Sequence, residues 1–175
     1  MVGRLQTVLY IVFIAGLCRA DFIVIVDNSQ SIMTSDWESV GQMLRLLVLA
    51  IDSYSEFRRF STIGFIRFND RTYEHLRNHH NFDIDGVIRV INDIKSKRPY
   101  GDTMMLEPVQ LAVRRLDEVR EERGPRSNAA QCIIMFTDGI PTRSQDRDDV
   151  IQLFKDQMDL GVYVVLIGKS CSLNN

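Results

Sequence analysis

Phe22-Ile23-Val24-Ile25-Val26 is an unbroken apolar run that passes directly into Asp27-Asn28-Ser29-Gln30-Ser31. Side chains alternate across a strand, so a strand apolar at every position must be covered on both faces. That requirement points to a largely parallel sheet with helices packed on either side. In such sheets ligands bind where strands end, at their carboxyl edge. A strand that stops abruptly in an acid and two hydroxyls therefore sets its polar groups where a ligand would sit.

Downstream, the chain alternates as this frame demands. Ser35-Asp36-Trp37-Glu38 has the capping-box pattern and opens a helix with Trp37, Val40, Leu44, Leu47, Val48 and Ile51 on one stripe. Trp37 is read as a core residue of that stripe. Thr62–Phe68 reads as a second strand, Asn69-Asp70-Arg71 as a turn, and Thr72–Leu76 as an antiparallel polar edge strand. Helical spacing covers Ile84–Ile94 and Leu106–Glu122, the latter stopped by Gly124-Pro125. Cys132–Thr137 is a further buried strand, Asp148–Leu160 a helix ended by Gly161, and Val162–Ile167 the last strand. The expected fold class is α/β: a doubly wound, mostly parallel sheet with one antiparallel edge strand and helices on both faces.

The N-terminus has another character. One positive charge at Arg4 precedes the apolar run Leu5–Leu17, and Cys18-Arg19-Ala20 offers small residues at the two positions a signal peptidase inspects. Residues 1–20 are therefore expected to be a secretory signal, too short in its apolar part to span a bilayer, and 21–175 a single secreted domain. No later stretch is long enough to cross a membrane. Removing the leader takes Arg4 and Arg19 and no acid, so the balance moves from 21 basic against 23 acidic residues to 19 against 23. A mildly acidic surface whose one basic cluster is Arg58-Arg59 argues against nucleic acid as the partner. Cys132 and Cys171 would lie at opposite ends of neighbouring strands, about 20 Å apart, beyond disulfide reach. No intrachain bridge is expected: Cys132 is read as a buried thiol, and Cys171 as free or paired with another chain.

Three loops carry the chemistry. Asp27-Asn28-Ser29-Gln30-Ser31 follows the first strand, Gly101-Asp102-Thr103 precedes the long helix, and Thr137-Asp138-Gly139 follows a later strand. A parallel sheet would bring all three to one rim. Their carboxylates and hydroxyls are hard oxygen donors, suited to Mg²⁺, Mn²⁺ or Ca²⁺ and poorly suited to Zn²⁺. Asp-x-Ser-x-Ser, a distant Gly-x-Thr loop and Thr-Asp-Gly, in this order and strand context, resemble the metal-ion-dependent adhesion site of von Willebrand factor type A domains and integrin inserted domains. The resemblance extends from Asp21 to about Lys169. It implies that Ser29 and Ser31 bind the metal directly, that Thr103 does so in a ligand-ready state, and that Asp27 and Asp138 act mainly through bound waters. It also implies an extracellular, non-enzymatic module that grips a Glu or Asp side chain of a matrix or cell-surface protein. Members of this family usually continue through a further strand and a last helix, for which Lys169–Asn175 is too short; the last strand would then be left as an open edge.

Competing readings are weaker. Singly, Ser29 and Ser31 could cap a helix and Asp138 could make a turn, but that explains each residue and not the set. A phosphoaspartyl enzyme needs a second acid where Ser29 stands. Gly168-Lys169-Ser170 lacks the first glycine of a phosphate loop, since Tyr163 occupies its place. His75, His79 and His80 lack a spaced fourth ligand for zinc. Asp102 is read as a plain loop residue, and Tyr54 and Tyr100 are left open as aromatics that could grip a partner. A structural or assembly domain with an unused site is the alternative function.

Overall fold

In a computed structural model, residues 20–53, 61–77, 83–124, 129–139, 141–157 and 159–167 are described. The elements, in chain order, are β1 (Ala20–Asp27), α1 (Thr34–Ser53), β2 (Thr62–Phe68), β3 (Thr72–Leu76), α2 (Ile84–Ser96), α3 (Leu106–Arg123), β4 (Ala130–Thr137), α4 (Ser144–Lys155) and β5 (Leu160–Leu166). The leader up to Arg19, Tyr54, Arg58-Arg59, His79, His80, Pro125, Met158, Gly168-Lys169-Ser170 and Cys171 lie outside the described residues.

The sheet has five strands in the order β3-β2-β1-β4-β5. β1 pairs in parallel with β2 and β4, β4 in parallel with β5, and only β2–β3 is antiparallel. The apolar run thus lies at the centre of the sheet. Its alternation divides it cleanly between two cores. Phe22, Val24 and Val26 pack with Trp37, Leu44, Val48 of α1 and Ile91 and Ile94 of α2. Ile23 and Ile25 pack with Val109 and Leu116 of α3 and Val150 of α4. Each of these side chains is almost wholly buried, and each full burial contributes about 1.5–3 kcal/mol before the cost of ordering the chain. Trp37 belongs to the core as expected, and its Nε1 donates to the Lys95 carbonyl at 3.1 Å, tying α1 to α2.

Asp21 fixes the other end of β1. Its Oδ1 accepts from the Thr62 amide (3.2 Å) and hydroxyl (2.8 Å) and meets Arg123 Nη2 at 2.9 Å. Ala20, the last residue of the expected leader, is already the first residue of β1, and its amide donates to Ser61 Oγ at 3.1 Å.

Two boundaries differ from the sequence expectation. α1 begins at Thr34, and Glu38 reaches Lys95 of α2 rather than closing a capping box on Ser35. α4 runs from Ser144 to Lys155, not from Asp148 to Leu160, and Gly161 lies inside β5. Packing there is close: a Cβ at position 161 would stand 3.3 Å from Cys132 Sγ, which would have to give by a few tenths of an ångström. β3 and β5 are the two edges of the described sheet, and Val164 and Leu166 of β5 are exposed. No described helix is long and apolar enough to cross a membrane.

Cys132 is buried among apolar neighbours, and burial followed by the nearby Asp21 charge pushes its thiol up to about 11. Because the thiolate is the nucleophile, iodoacetamide at pH 8 should leave Cys132 unlabelled in the native protein and label it after unfolding, read by peptide mass mapping. Equal labelling in both states would contradict this placement.

Candidate functional site

The rim is assembled from the strand ends upward. Asp27 is the last residue of β1 and is fully buried. Its Oδ1 accepts from the Ser29 amide at 2.9 Å, and its Oδ2 accepts from the Thr137 hydroxyl at 2.7 Å. Thr137 closes β4, one step beyond the Val26–Phe136 pair, so the contact joins the ends of neighbouring strands. The same Thr137 oxygen accepts from the Gly139 amide at 3.0 Å, where the backbone turns at φ +78°. A positive φ of that kind favours glycine.

Ser29 is buried and Ser31 exposed, and their hydroxyl oxygens lie 2.8 Å apart. The second loop is laced onto this strip. Tyr100 N donates to Asn28 O at 3.0 Å, and Gln30 N to Gly101 O at 3.1 Å. Thr103, 3% exposed, is held from its other side: its amide donates to Thr142 Oγ1 at 2.9 Å, and its carbonyl accepts from Thr142 N at 3.2 Å. The Asp146 carboxylate accepts from Met105 N and from Leu106 N, the latter at 3.0 Å. That carboxylate caps the start of α3, which has no cap from its own N-cap side chain.

Asp27, Ser29 and Ser31 are therefore brought into direct contact, and Thr103 is laced to them through the backbone. Asp138 follows Thr137, is partly exposed, and lies close enough to Asp27 for its charge to be felt. Thr142 and Asp146 were missed in the sequence; their only signal is an acid in the first turn of α4. Of the open aromatics, Tyr100 is exposed and its hydroxyl lies 3.1 Å from that of Tyr73.

Electrostatically, Asp27 is the unusual member. Burial pushes its carboxyl up to about 6, against the lowering effect of hydrogen bonds from Ser29 and Thr137, and the Asp138 charge adds to the rise. No Lys or Arg among the described residues pairs with it, whereas Asp21 at the other end of β1 has Arg123. No group of three or more His, Cys, Asp or Glu suited to a metal occurs among the described residues, so a cation at this rim would depend on hydroxyl oxygens. The donor set fits one. Neighbouring ligands of an octahedral ion at about 2.0–2.1 Å stand about 2.8–3.0 Å apart, the separation of the two serine oxygens.

Comparison with known proteins agrees with the architecture. The sequence matches the von Willebrand factor type A domain over residues 21–172. No curated protein matches it. Among solved structures it is similar to the manganese-loaded TRAP protein of Plasmodium vivax, at 25% identity and TM-score 0.65, covering 87% of this chain and 59% of that one. It is also similar to proximal thread matrix protein 1 of the mussel byssus (19% identity, TM-score 0.65, 84% of this chain and 38% of that one). A third likeness is the pilus adhesin SpaC of Lactobacillus rhamnosus GG (19%, TM-score 0.58, 71% and 15%). The chain spans about three-fifths of the TRAP structure's length.

Two outcomes follow from this geometry. An acid whose folded pKa is raised above its unfolded value near 4 weakens the fold when ionised. In EDTA, Asp27 alone should therefore contribute a gain in stability of up to about 3 kcal/mol as pH falls from 7 through 6 toward 4, against an opposite contribution from His75, whose folded pKa is lowered. Asp27→Asn should lose that slope in thermal unfolding; an unchanged slope contradicts the assignment. Asp146→Ala should cost about 1–2 kcal/mol in urea unfolding, through the uncapped start of α3.

Proposed function

The chain belongs to the von Willebrand factor type A domain family, and on that footing we propose that it is an extracellular protein-binding module rather than an enzyme. In this reading Asp27, Ser29, Ser31, Thr103 and Asp138 hold Mg²⁺, or Mn²⁺ or Ca²⁺, as a metal-ion-dependent adhesion site. The partner is a matrix or cell-surface protein that presents a Glu or Asp side chain.

The observation that carries the proposal is the Asp27–Ser29–Ser31 strip: a buried carboxylate bonded only to neutral donors, beside two hydroxyl oxygens 2.8 Å apart. A bound dication supplies the missing positive charge and an electrophilic centre for an anionic oxygen. Ser29 and Ser31 contribute neutral oxygens, which leave that charge largely uncancelled for the partner's carboxylate. Asp27 and Asp138 add negative charge from the first and third loops, mainly through water, as the family pattern implies. Thr103 is a direct ligand in the ligand-ready state. Its backbone is gripped by Thr142, so the residues that fasten α3 and α4 to the rim also set where its hydroxyl stands. Support from relatives is of the same kind: TRAP was solved manganese-loaded, and SpaC is a pilus adhesin.

A structural or assembly role with an unused site is the second reading. The β5 edge of the described sheet, with Val164 and Leu166 exposed, favours it, since an apolar edge strand invites pairing with another chain.

Calorimetric titration of EDTA-stripped protein with Mg²⁺ and Mn²⁺ separates the two. The adhesion reading predicts one site, weakened about 10–100-fold by Asp27→Asn, and matrix-protein binding that EDTA abolishes. Binding that persists in EDTA and in Asp27→Asn would instead support the assembly reading.

A further inference from the structure

A buried cation sits behind the same strand ends, on the opposite face of the sheet. Arg67, 4% exposed, alternates with Ile63 and Phe65 and so shares the face covered by α1 and α2. Its Nε donates to His75 Nε2 at 3.1 Å, and its guanidinium carbon lies 4.1 Å from the centre of the Tyr73 ring. The other His75 nitrogen meets Asp93 at 3.1 Å, and Asp93 also meets Lys97 at 2.9 Å. Burial, then the Arg67 charge, hold the His75 pKa below its ordinary value, which keeps the ring neutral and able to accept. The Asp93 carboxylate is thus separated from Arg67 by a neutral ring and is already shared with Lys97.

Two other acids near these strand ends are engaged by other groups. Glu74 is held by Arg115, and Asp27 by Ser29 and Thr137. Arg67 Nη1 has no hydrogen-bond partner among the described residues. Outside those residues the sequence holds one acid, Glu56.

Two amides share the predicament. Asn28 and Asn69 are fully buried, and Asn28 Nδ2, Asn28 Oδ1 and Asn69 Nδ2 lack partners among the described residues. The Asn28 amide donates to Phe68 O at 2.7 Å, which sets Asn28 beside Asn69. Tyr100 closes the group. Its amide donates to Asn28 O. The Tyr73 hydroxyl, then the Asn69 and Arg67 side chains, hold its phenol below the ordinary pKa.

We propose that Arg67 Nη1, Asn28 Nδ2 and Asn69 Nδ2 bind a small inorganic anion of the halide class beneath the Tyr73–Tyr100 hydroxyl pair. A guanidinium without a counter-charge is costly to bury, and an anion bound by it and two amides removes both the bare charge and the unsatisfied donors. A halide fits better than a large oxyanion, because Arg67, Asn28 and Asn69 are each no more than 4% exposed. Tyr100, exposed at the rim, is the route of exchange with solvent. The site does not depend on the metal-binding proposal.

The test uses the intact chain in EDTA at constant ionic strength, with sodium gluconate replaced stepwise by sodium chloride or bromide. The thermal midpoint should climb with halide concentration, and Arg67→Met should have one midpoint in all salts. Crystals soaked in bromide should show an anomalous peak at Arg67 Nη1, which keeps the test open even where Arg67→Met does not fold. A parent midpoint indifferent to halide, or bromide absent with only water at Arg67 Nη1, overturns the proposal.

Discussion

The rim is organised around a buried negative charge at the end of the central strand. Asp27 is there because β1 must be covered on both faces, which places it mid-sheet, and because its last residue points toward the Thr137 end of β4. Everything that holds it is neutral: one amide and hydroxyls. Asp21, at the other end of the same strand, is equally buried and has Arg123 beside it. Both acids order neighbouring segments, but among the described residues only Asp21 has a cation beside it. An acid held below its ordinary charge in this way is costly to a fold, and its position at the carboxyl edge of an α/β sheet is where such a cost buys a binding site.

The loops do not merely meet at that edge; they are fastened to one another. Asn28 accepts from Tyr100, Gln30 donates to Gly101, and Thr103 and Thr142 exchange two hydrogen bonds. Asp146 joins the first turn of α4 to the first turn of α3. A shift in the Thr103 loop therefore has to move the starts of both helices on that face. Asn28 stands between two charges of opposite sign, Asp27 on the α3 side and Arg67 on the α1–α2 side, and among the described residues neither forms an ion pair with a charged side chain of opposite sign.

What could be read in the sequence was what depends on local pattern. The unbroken run at Phe22–Val26 announced a doubly covered strand, and the stripe from Trp37 to Ile51 announced its helix. The polar alternation of Thr72–Leu76 gave the antiparallel edge. The three oxygen-rich loops were visible because each directly adjoins a strand or helix signal. What escaped was set by contacts between distant segments. Gly161 looked like a helix stop, yet it lies inside β5, packed closely against Cys132 of the neighbouring strand. Glu38 looked like half of a capping box, yet Lys95 of another helix claims it. Thr142 and Asp146 grip a loop some forty residues earlier in the chain, and Arg67 hides in a run, Phe65–Phe68, that otherwise reads as apolar strand. None of these leaves a mark within a window of neighbouring residues.

The most direct test is a crystal structure of the protein grown with Mn²⁺, in which anomalous scattering locates the ion. The account predicts a peak on the rim within about 2–2.3 Å of both Ser29 Oγ and Ser31 Oγ, with Asp27 and Asp138 around it. A rim without manganese at saturating concentration, or manganese bound elsewhere, would contradict it.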